Sequence, residues 1–206
     1  STFVQAGSSE AAKVIFQQMA NTSPKLHYEG RFVYNRNGRM DAMHILHSND
    51  GNEEFEQLTS LNGMSWKVIR KGDQVYCPFP GESGQGLRHN KLRNLTGLNP
   101  KNTLQALNKY YNFTLLRKER VAGRVCNVIA IIPKDHFRYG YRLWIDVESS
   151  HLLRNDIVNN QGQVVEQMMF TSIKFFQVAP KMNSQIEQNT SIAKMQSSPL
   201  AAIEAA

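Results

Sequence analysis

Apolar residues recur at three-and-four spacing over residues 9–20, where Ala11, Ala12, Ile15, Phe16 and Met19 make one stripe. That period predicts a short amphipathic helix, with Ser8 or Ser9 placed to cap it. From residue 26 onward the period drops to two, the signature of strands. Residues 26–34 and 40–47 read as a hairpin through Asn35-Arg36-Asn37-Gly38, in which Gly38 takes a positive φ. Residues 53–61, 66–70 and 74–79 continue a meander through Asn62-Gly63 and Lys71-Gly72-Asp73.

Pro78 and Pro80 stop that series, and residues 81–93, Gly-rich and then basic, read as a long loop. A second helix is expected over 103–111, capped by Asn102 or Thr103, with Leu104, Leu107 and Tyr111 on one side. Strands resume at 113–121, 124–133, 138–147, 151–158 and 164–176. Links this short force antiparallel neighbours. The expected architecture is α+β: about ten antiparallel strands in a curled sheet or half-open barrel crossed by short helices, too wide to stay flat.

The last strands do not alternate cleanly between an apolar and a wet face. Met168, Phe170 and Phe176 fall on one face and Met169, Ile173 and Phe175 on the other; likewise Val125, Ile129 and Ile131 oppose Cys126, Val128 and Ile132. A second apolar face needs a cover. Ordinary helix-on-sheet core is the plainer explanation, and a pocket of methionines and aromatics for an apolar ligand is the sharper one.

Composition adds charge to this picture. The chain has 206 residues, a formal charge of +7 and a mean hydropathy of −0.45, a globular composition. Its longest uninterrupted apolar stretch, 128–132, is far short of the roughly 18 residues a spanning helix needs. Ser1 at the start reads as a trimmed mature end or a cut segment. Residues 66–124 alone carry a net +9, suited either to a solvated face or to an acidic partner. Cys77 and Cys126 are too few for a disulfide scaffold. Bridged, they would add about 4 kcal/mol in the chain-entropy model; buried free thiols are the commoner outcome in such apolar runs.

Catalytic patterns fail one by one. His44 and His47, three apart on a strand, point to opposite faces and cannot share a metal. Gly81-Glu82-Ser83-Gly84-Gln85 lacks the final glycine of a nucleophile elbow, and Gly84-Gln85-Gly86 lacks the rest of a dinucleotide fingerprint. Asp146 and Glu148 read as a solvated strand end. Residues 87–93 with Tyr110 and Tyr111 are basic and aromatic but match no nucleic-acid-reading motif. No enzyme, metal, cofactor or nucleic-acid partner is expected.

The second strand block carries a resemblance: Tyr111-Asn112-Phe113, the run from Arg120 through Gly123 to Ile129, and Tyr139-Gly140-Tyr141-Arg142-Leu143-Trp144-Ile145-Asp146-Val147-Glu148-Ser149. With Leu152-Leu153-Arg154, residues 162–170, the first hairpin and the Arg70-Lys71-Gly72-Asp73 turn, it resembles the RseB/MucB family of periplasmic regulators of the sigma-E envelope-stress response, over about residues 14–177. The resemblance implies a fold shared with the lipoprotein carriers LolA and LolB over residues 1–182, with 183–206 as a linker or tail toward a small C-terminal domain. It also implies a periplasmic location and a partner, the periplasmic part of a membrane-spanning anti-sigma factor of the RseA/MucA kind. The resemblance further implies that this partner is shielded from proteolysis and that a lipid-like signal, lipopolysaccharide or acylated protein, releases it.

Such a regulator is peripheral to the membrane, with homo-oligomerisation left open. Candidates for the wall of a lipid cavity are Tyr28, Phe32, Met43, Ile45, Val68, Leu143, Ile145, Met168 and Phe170. Arg88, Lys91 and Arg93 are candidates for anionic head groups. A lipoprotein carrier that delivers cargo is the alternative reading. A hydrolase comes third, to be judged by whether the cavity holds a hydrogen-bonded nucleophile and base.

Overall fold

The structure, a computed structural model, describes residues 2–72, 74–76 and 104–180. Helix α1 spans Thr2–Thr22 and is followed by a 3-10 turn at Ser23–Lys25. Strands β1 (His27–Arg36), β2 (Arg39–Asn49), β3 (Glu54–Ser60), β4 (Lys67–Lys71) and β5 (Gln74–Tyr76) come next. Helix α2 (Leu104–Tyr110) leads into β6 (Tyr111–Val121), β7 (Arg124–Pro133), β8 (Gly140–Asp146), β9 (Leu152–Val158) and β10 (Val164–Phe176). The ten strands among the described residues form one antiparallel sheet in the order β5-β4-β3-β2-β1-β10-β9-β8-β7-β6, with no pairing between β5 and β6 among those residues.

Sequence expectation and structure differ mainly at element ends. The helix predicted over 9–20 extends in both directions. Ser8 therefore lies inside it and does not cap it; its hydroxyl accepts from the Leu115 N–H at 3.2 Å and donates to the Leu115 carbonyl at 3.1 Å. This bond pins α1 to β6 next to a bulge, where Leu115 pairs with Ile129 but Lys118 with Asn127. The first hairpin closes through two residues, not four: Asn37 and Gly38 both have positive φ, 52° and 77°, as a twist-matched two-residue turn requires. Tyr111 belongs to β6 rather than to the second helix. The expected loop at 81–93 and tail at 183–206 lie outside the described residues, as does Cys77, while Cys126 is a buried free thiol.

A bulge also overturns the facing read for β10. Arg31 pairs with Ser172 but Phe32 with Phe170, so Thr171 is left over, and its hydroxyl donates to the Arg31 carbonyl at 3.1 Å. One extra residue reverses the alternation beyond it. Tyr28, Gly30 and Phe32 share a face of β1, and their β10 partners are Phe175, Ile173 and Phe170. Ile173 and Phe175, which alternation assigned to the face opposite Met168 and Phe170, thus join them on one face, while Met169 and Phe176, paired with Val33 and His27, lie on the other. For β7 the two-faced reading stands in the strand's middle: Ile129 and Ile131 are buried on one side, Cys126 and Val128 on the other, with Val125 and Ile132 exposed.

The inner face is the one crossed by α1, which packs on β6 and β7. Phe16 meets Phe113 edge-on at 5.5 Å between ring centres, and Ala12, Phe16 and Met19 join the same buried cluster as Phe32, Met43, Leu143 and Phe170. Each such large apolar side chain contributes about 1.5–3 kcal/mol on burial, enough to hold a helix that would be marginal alone. On the outer face Trp144 lies under the Arg154 guanidinium at 4.1 Å and donates to Glu119 at 2.8 Å. Arg154 also grips the fully buried Asp156 with two hydrogen bonds, at 2.9 and 2.8 Å.

Candidate functional site

Register puts all nine residues singled out for a cavity on the inner face. Phe32 faces Met43 across β1–β2 and Phe170 across β1–β10; Ile45 faces Leu58, which faces Val68; Met168 and Leu143 both pair with Asn155. Tyr28 and Ile145 lie farther down the same face, beside His47 and Leu152. Eight of the nine are buried and Val68 is half-buried. The buried eight belong to one contiguous cluster. Gly30 makes the centre of this face possible, because a Cβ there would stand 2.7 Å from the Phe170 ring and 2.9 Å from the Ser172 carbonyl. Arg88, Lys91 and Arg93 lie outside the described residues.

The two ends of the face differ. The lower end, where β1 starts and the 147–151 link turns, is closed by rings: Tyr28 stacks on His47 at 4.9 Å and meets His151 at 4.4 Å, with Phe170 and Phe175 edge-on. The His47 ring nitrogens face the Leu26 carbonyl at 2.7 Å and the Glu54 carboxylate at 3.0 Å. Beside Tyr28 the same rung runs across the sheet through His47 and Glu56 to Arg70, whose guanidinium donates to Glu56 at 2.6 Å. Burial holds the Glu56 carboxyl above its ordinary range, with Arg70 and His47 pulling the other way. Burial likewise raises the Tyr28 hydroxyl, helped by Glu56 and Glu54. At the upper end, Tyr34, Trp66, Leu104, Tyr111 and Tyr141 are only half-buried against the cluster.

One pair in this plug has the parts of a nucleophile and base. Ser23 Oγ lies 2.7 Å from His151 Nδ1. The other ring nitrogen, Nε2, is buried with no hydrogen-bond partner, so no carboxylate orients the imidazole. Burial, with His47 nearby, pushes the His151 pKa down to about 3. A base so weak takes up almost no proton at neutral pH, and the pair reads as a structural contact. His44 and His47 do face opposite ways: His44 pairs with Glu29 at 2.8 Å on the outer face, across the sheet from the plug. Among the described residues no three His, Cys, Asp or Glu side chains gather to hold a metal ion.

Asp146 corrects an expectation. It is buried at the end of β8 and not solvated, accepting from Arg124 at 2.9 Å and from the Ser149 N–H and hydroxyl at 2.9 and 2.6 Å. Although burial opposes it, these bonds hold the Asp146 carboxyl below its ordinary range. Burial and Asp146 together push the Cys126 thiol up to about 11, which leaves it unreactive at neutral pH.

Comparison with known proteins gives this arrangement its place. The family model for the MucB/RseB N-terminal domain matches residues 11–196. The chain belongs to that family. The Sigma-E factor regulatory protein RseB of Haemophilus influenzae is 29% identical over 163 residues, 79% of this chain and 52% of the relative. The Sigma factor AlgU regulatory protein MucB of Pseudomonas aeruginosa is 30% identical over 158 residues, 76% of this chain and 48% of the relative. The chain therefore spans about half the length of the curated relatives it matches. Among solved structures, MucB superposes with a TM-score of 0.74 at 28% identity, covering 85% of this chain and 62% of MucB. A crystal structure of MucB in complex with MucA(peri) matches at 0.68 and 26%, over 85% of this chain and 58% of that one.

The names of these MucB/RseB relatives are regulatory, none of them enzymatic. The described part of this MucB/RseB domain holds no helix long and apolar enough to cross a membrane. Sequence reasoning missed the ring plug. His151 was visible only as the start of a strand and His47 only as half of a failed metal pair. The available signal was that Tyr28 and His47 fall opposite each other once the hairpin is closed by two residues.

Proposed function

We propose that this chain is the sensing domain of a non-enzymatic, periplasmic regulator. It binds the periplasmic segment of a membrane-spanning anti-sigma factor of the MucA/RseA kind, keeps that segment from proteolysis and releases it on a lipid-like signal. The observation that carries this reading is the likeness to MucB in its complex with MucA(peri), which extends over 85% of the chain. The inner face supplies the chemistry for the signal: Tyr28, Phe32, Met43, Ile45, Val68, Leu143, Ile145, Met168 and Phe170 form an apolar surface of flexible and aromatic side chains suited to an acyl chain. Because most of them are buried against one another, an acyl chain enters only as they part, and that displacement is what couples signal to release. Arg88, Lys91 and Arg93 are proposed to meet the anionic head group.

The test is retention of the anti-sigma periplasmic segment on immobilised chain, with and without lipopolysaccharide or an acylated peptide. The reading expects retention that falls when either is added. Retention unchanged by both removes the lipid switch, and no retention at all removes the partner from this domain. Phe170→Trp, placing a reporter on the inner face, should show altered emission with acylated peptide and none with the same peptide lacking its acyl chain.

A further inference from the structure

The strongest outward apolar features collect at one end of the sheet. The upper end carries the turns at 37–38, 61–66, 134–139 and 159–163. Phe137, in the β7–β8 turn, is 96% exposed, and Met64, in the β3–β4 turn, 86%. Met40, Leu61, Tyr110 and Tyr139 are exposed around them. Single exposed apolar residues are ordinary, but two nearly bare tips on separate turns of one rim, with four strands between them in the sheet order, make a multi-point surface.

The Phe137 tip is held in place. Its N–H donates to Asp135 at 3.0 Å, Arg138 pairs with the same carboxylate, and the Arg138 guanidinium lies 4.2 Å from the Tyr110 ring centre. Lys134 donates to the Asn108 carbonyl at 2.6 Å, tying the turn to α2. Phe137 is thus presented by a braced loop. The carboxylates of this rim already have cations: Glu166 has Arg36 at 3.0 Å, Asp41 has Arg39 at 3.3 Å, and Asp135 has Arg138. Lys67, Lys109 and Lys134 pair with no carboxylate among the described residues, so the described part of the rim is left positive. At the lower end the exposed large apolar residues are valines, Val125, Val147 and Val178, and the acids beside them are Asp50, Glu53, paired with Lys71 at 3.3 Å, and Glu148, paired with Arg124 at 2.7 Å.

We propose that the upper rim docks on an anionic lipid bilayer, with Phe137 and Met64 entering the head-group layer and the rim lysines and arginines above it. Apolar tips under a positive collar fit such a surface: tyrosines settle at head-group depth, and cations gain from anionic lipid. Charge complementarity selects the anionic bilayer, and the spacing of the two tips suits a broad surface better than one groove-bound chain. This surface is separate from the inner face, so it stands whether or not an acyl chain enters there.

Flotation of the 206-residue chain with phosphatidylethanolamine–phosphatidylglycerol vesicles, beside pure phosphatidylcholine vesicles, tests it. Binding to the anionic vesicles is expected, weaker in high salt, and about tenfold weaker in the Phe137→Ser/Met64→Ser double variant. The single variant Phe137→Trp should show a blue-shifted emission with anionic vesicles only. The proposal is overturned by absent binding, by equal binding to phosphatidylcholine, by a double variant that binds as the parent does, or by Trp emission that does not shift. It is equally overturned if the double variant loses the anti-sigma segment and keeps the vesicles, which would make the rim a protein interface.

Discussion

At the lower end of the inner face Tyr28, His47, His151 and Phe175 stack into the interior, whereas at the upper end Phe137 and Met64 stand in solvent. Both ends are made of strand termini and short links, so secondary structure does not explain the difference. The lower end receives the 3-10 turn after α1, which brings Ser23 onto His151 and Asn49 onto the Pro24 carbonyl. The upper end has braced turns with nothing described packed on their tips. A side chain's fate here depends on whether the chain packs back over it, and among the described residues that happens to the rings of the lower end and not to Phe137 or Met64. Stability should therefore reside at the bottom and centre, and surface contacts at the top.

The harshest test of that division is at the centre. Phe170→Ala removes a ring that touches Phe32, Tyr28 and His151, and in a close-packed interior it should cost about 3–5 kcal/mol, read as a fall in urea midpoint. A loss below about 1 kcal/mol would mean that the site already has slack. The lower end would then be closed and the centre hollow, which favours ready entry of an acyl chain.

Next in size is the pH response of the plug. His151 is held near 3 in the fold, so between there and the unfolded value of about 6.5 the unfolded chain carries a proton that the fold lacks. Stability therefore falls as pH falls through that window, by up to about 1.4 kcal/mol per unit. Glu56, raised by burial, works in the opposite direction. The informative measure is thus the difference between parent and His151→Gln, denatured in urea at several pH values from 7.5 to 4.5. The variant should show the shallower loss toward acid; identical slopes would refute a neutral, sealed His151.

How much of this could be read from the chain alone differs between the same regions. Strand count, antiparallel order and the face of Met168 and Phe170 were legible, because period-two alternation and short links suffice for them. The face of Ile173 and Phe175 was not, because a bulge at Thr171 is a tertiary accommodation that leaves no mark in the alternation. The extra turns of α1 were missed for a related reason: Ser8 looks like a cap and is used as a tether to Leu115. Asp146 looked like a wet strand end because its partner Arg124 is brought to it by the β7–β8 register. The nine inner residues were legible as a set because burial of one sheet face is a local property of each strand. The ring plug, built from three strands and the 147–151 link, was not.

A smaller perturbation sharpens the centre without emptying it. Gly30→Ala adds one methyl group against the Phe170 ring and the Ser172 backbone. The ring can turn but the carbonyl cannot, so the loss should be about 1–3 kcal/mol. It should be nearly absent when Gly30→Ala is introduced into Phe170→Ala only if the ring, and not the carbonyl, sets the limit. Thermal or urea unfolding of the two single variants and the double variant decides between them.

The smallest effect is expected at the rim. Phe137→Ser and Met64→Ser each remove an apolar side chain that gives the fold almost no buried area, so unfolding free energy should stay within about 0.5 kcal/mol of the parent. The bracing of the β7–β8 turn runs through Asp135, Arg138 and Lys134, none of which these changes touch. If either serine instead destabilised the chain by more than about 1 kcal/mol, that side chain would have to be packing on something in solution. The contrast between a sealed lower end and an open upper one would then fail at its simplest point.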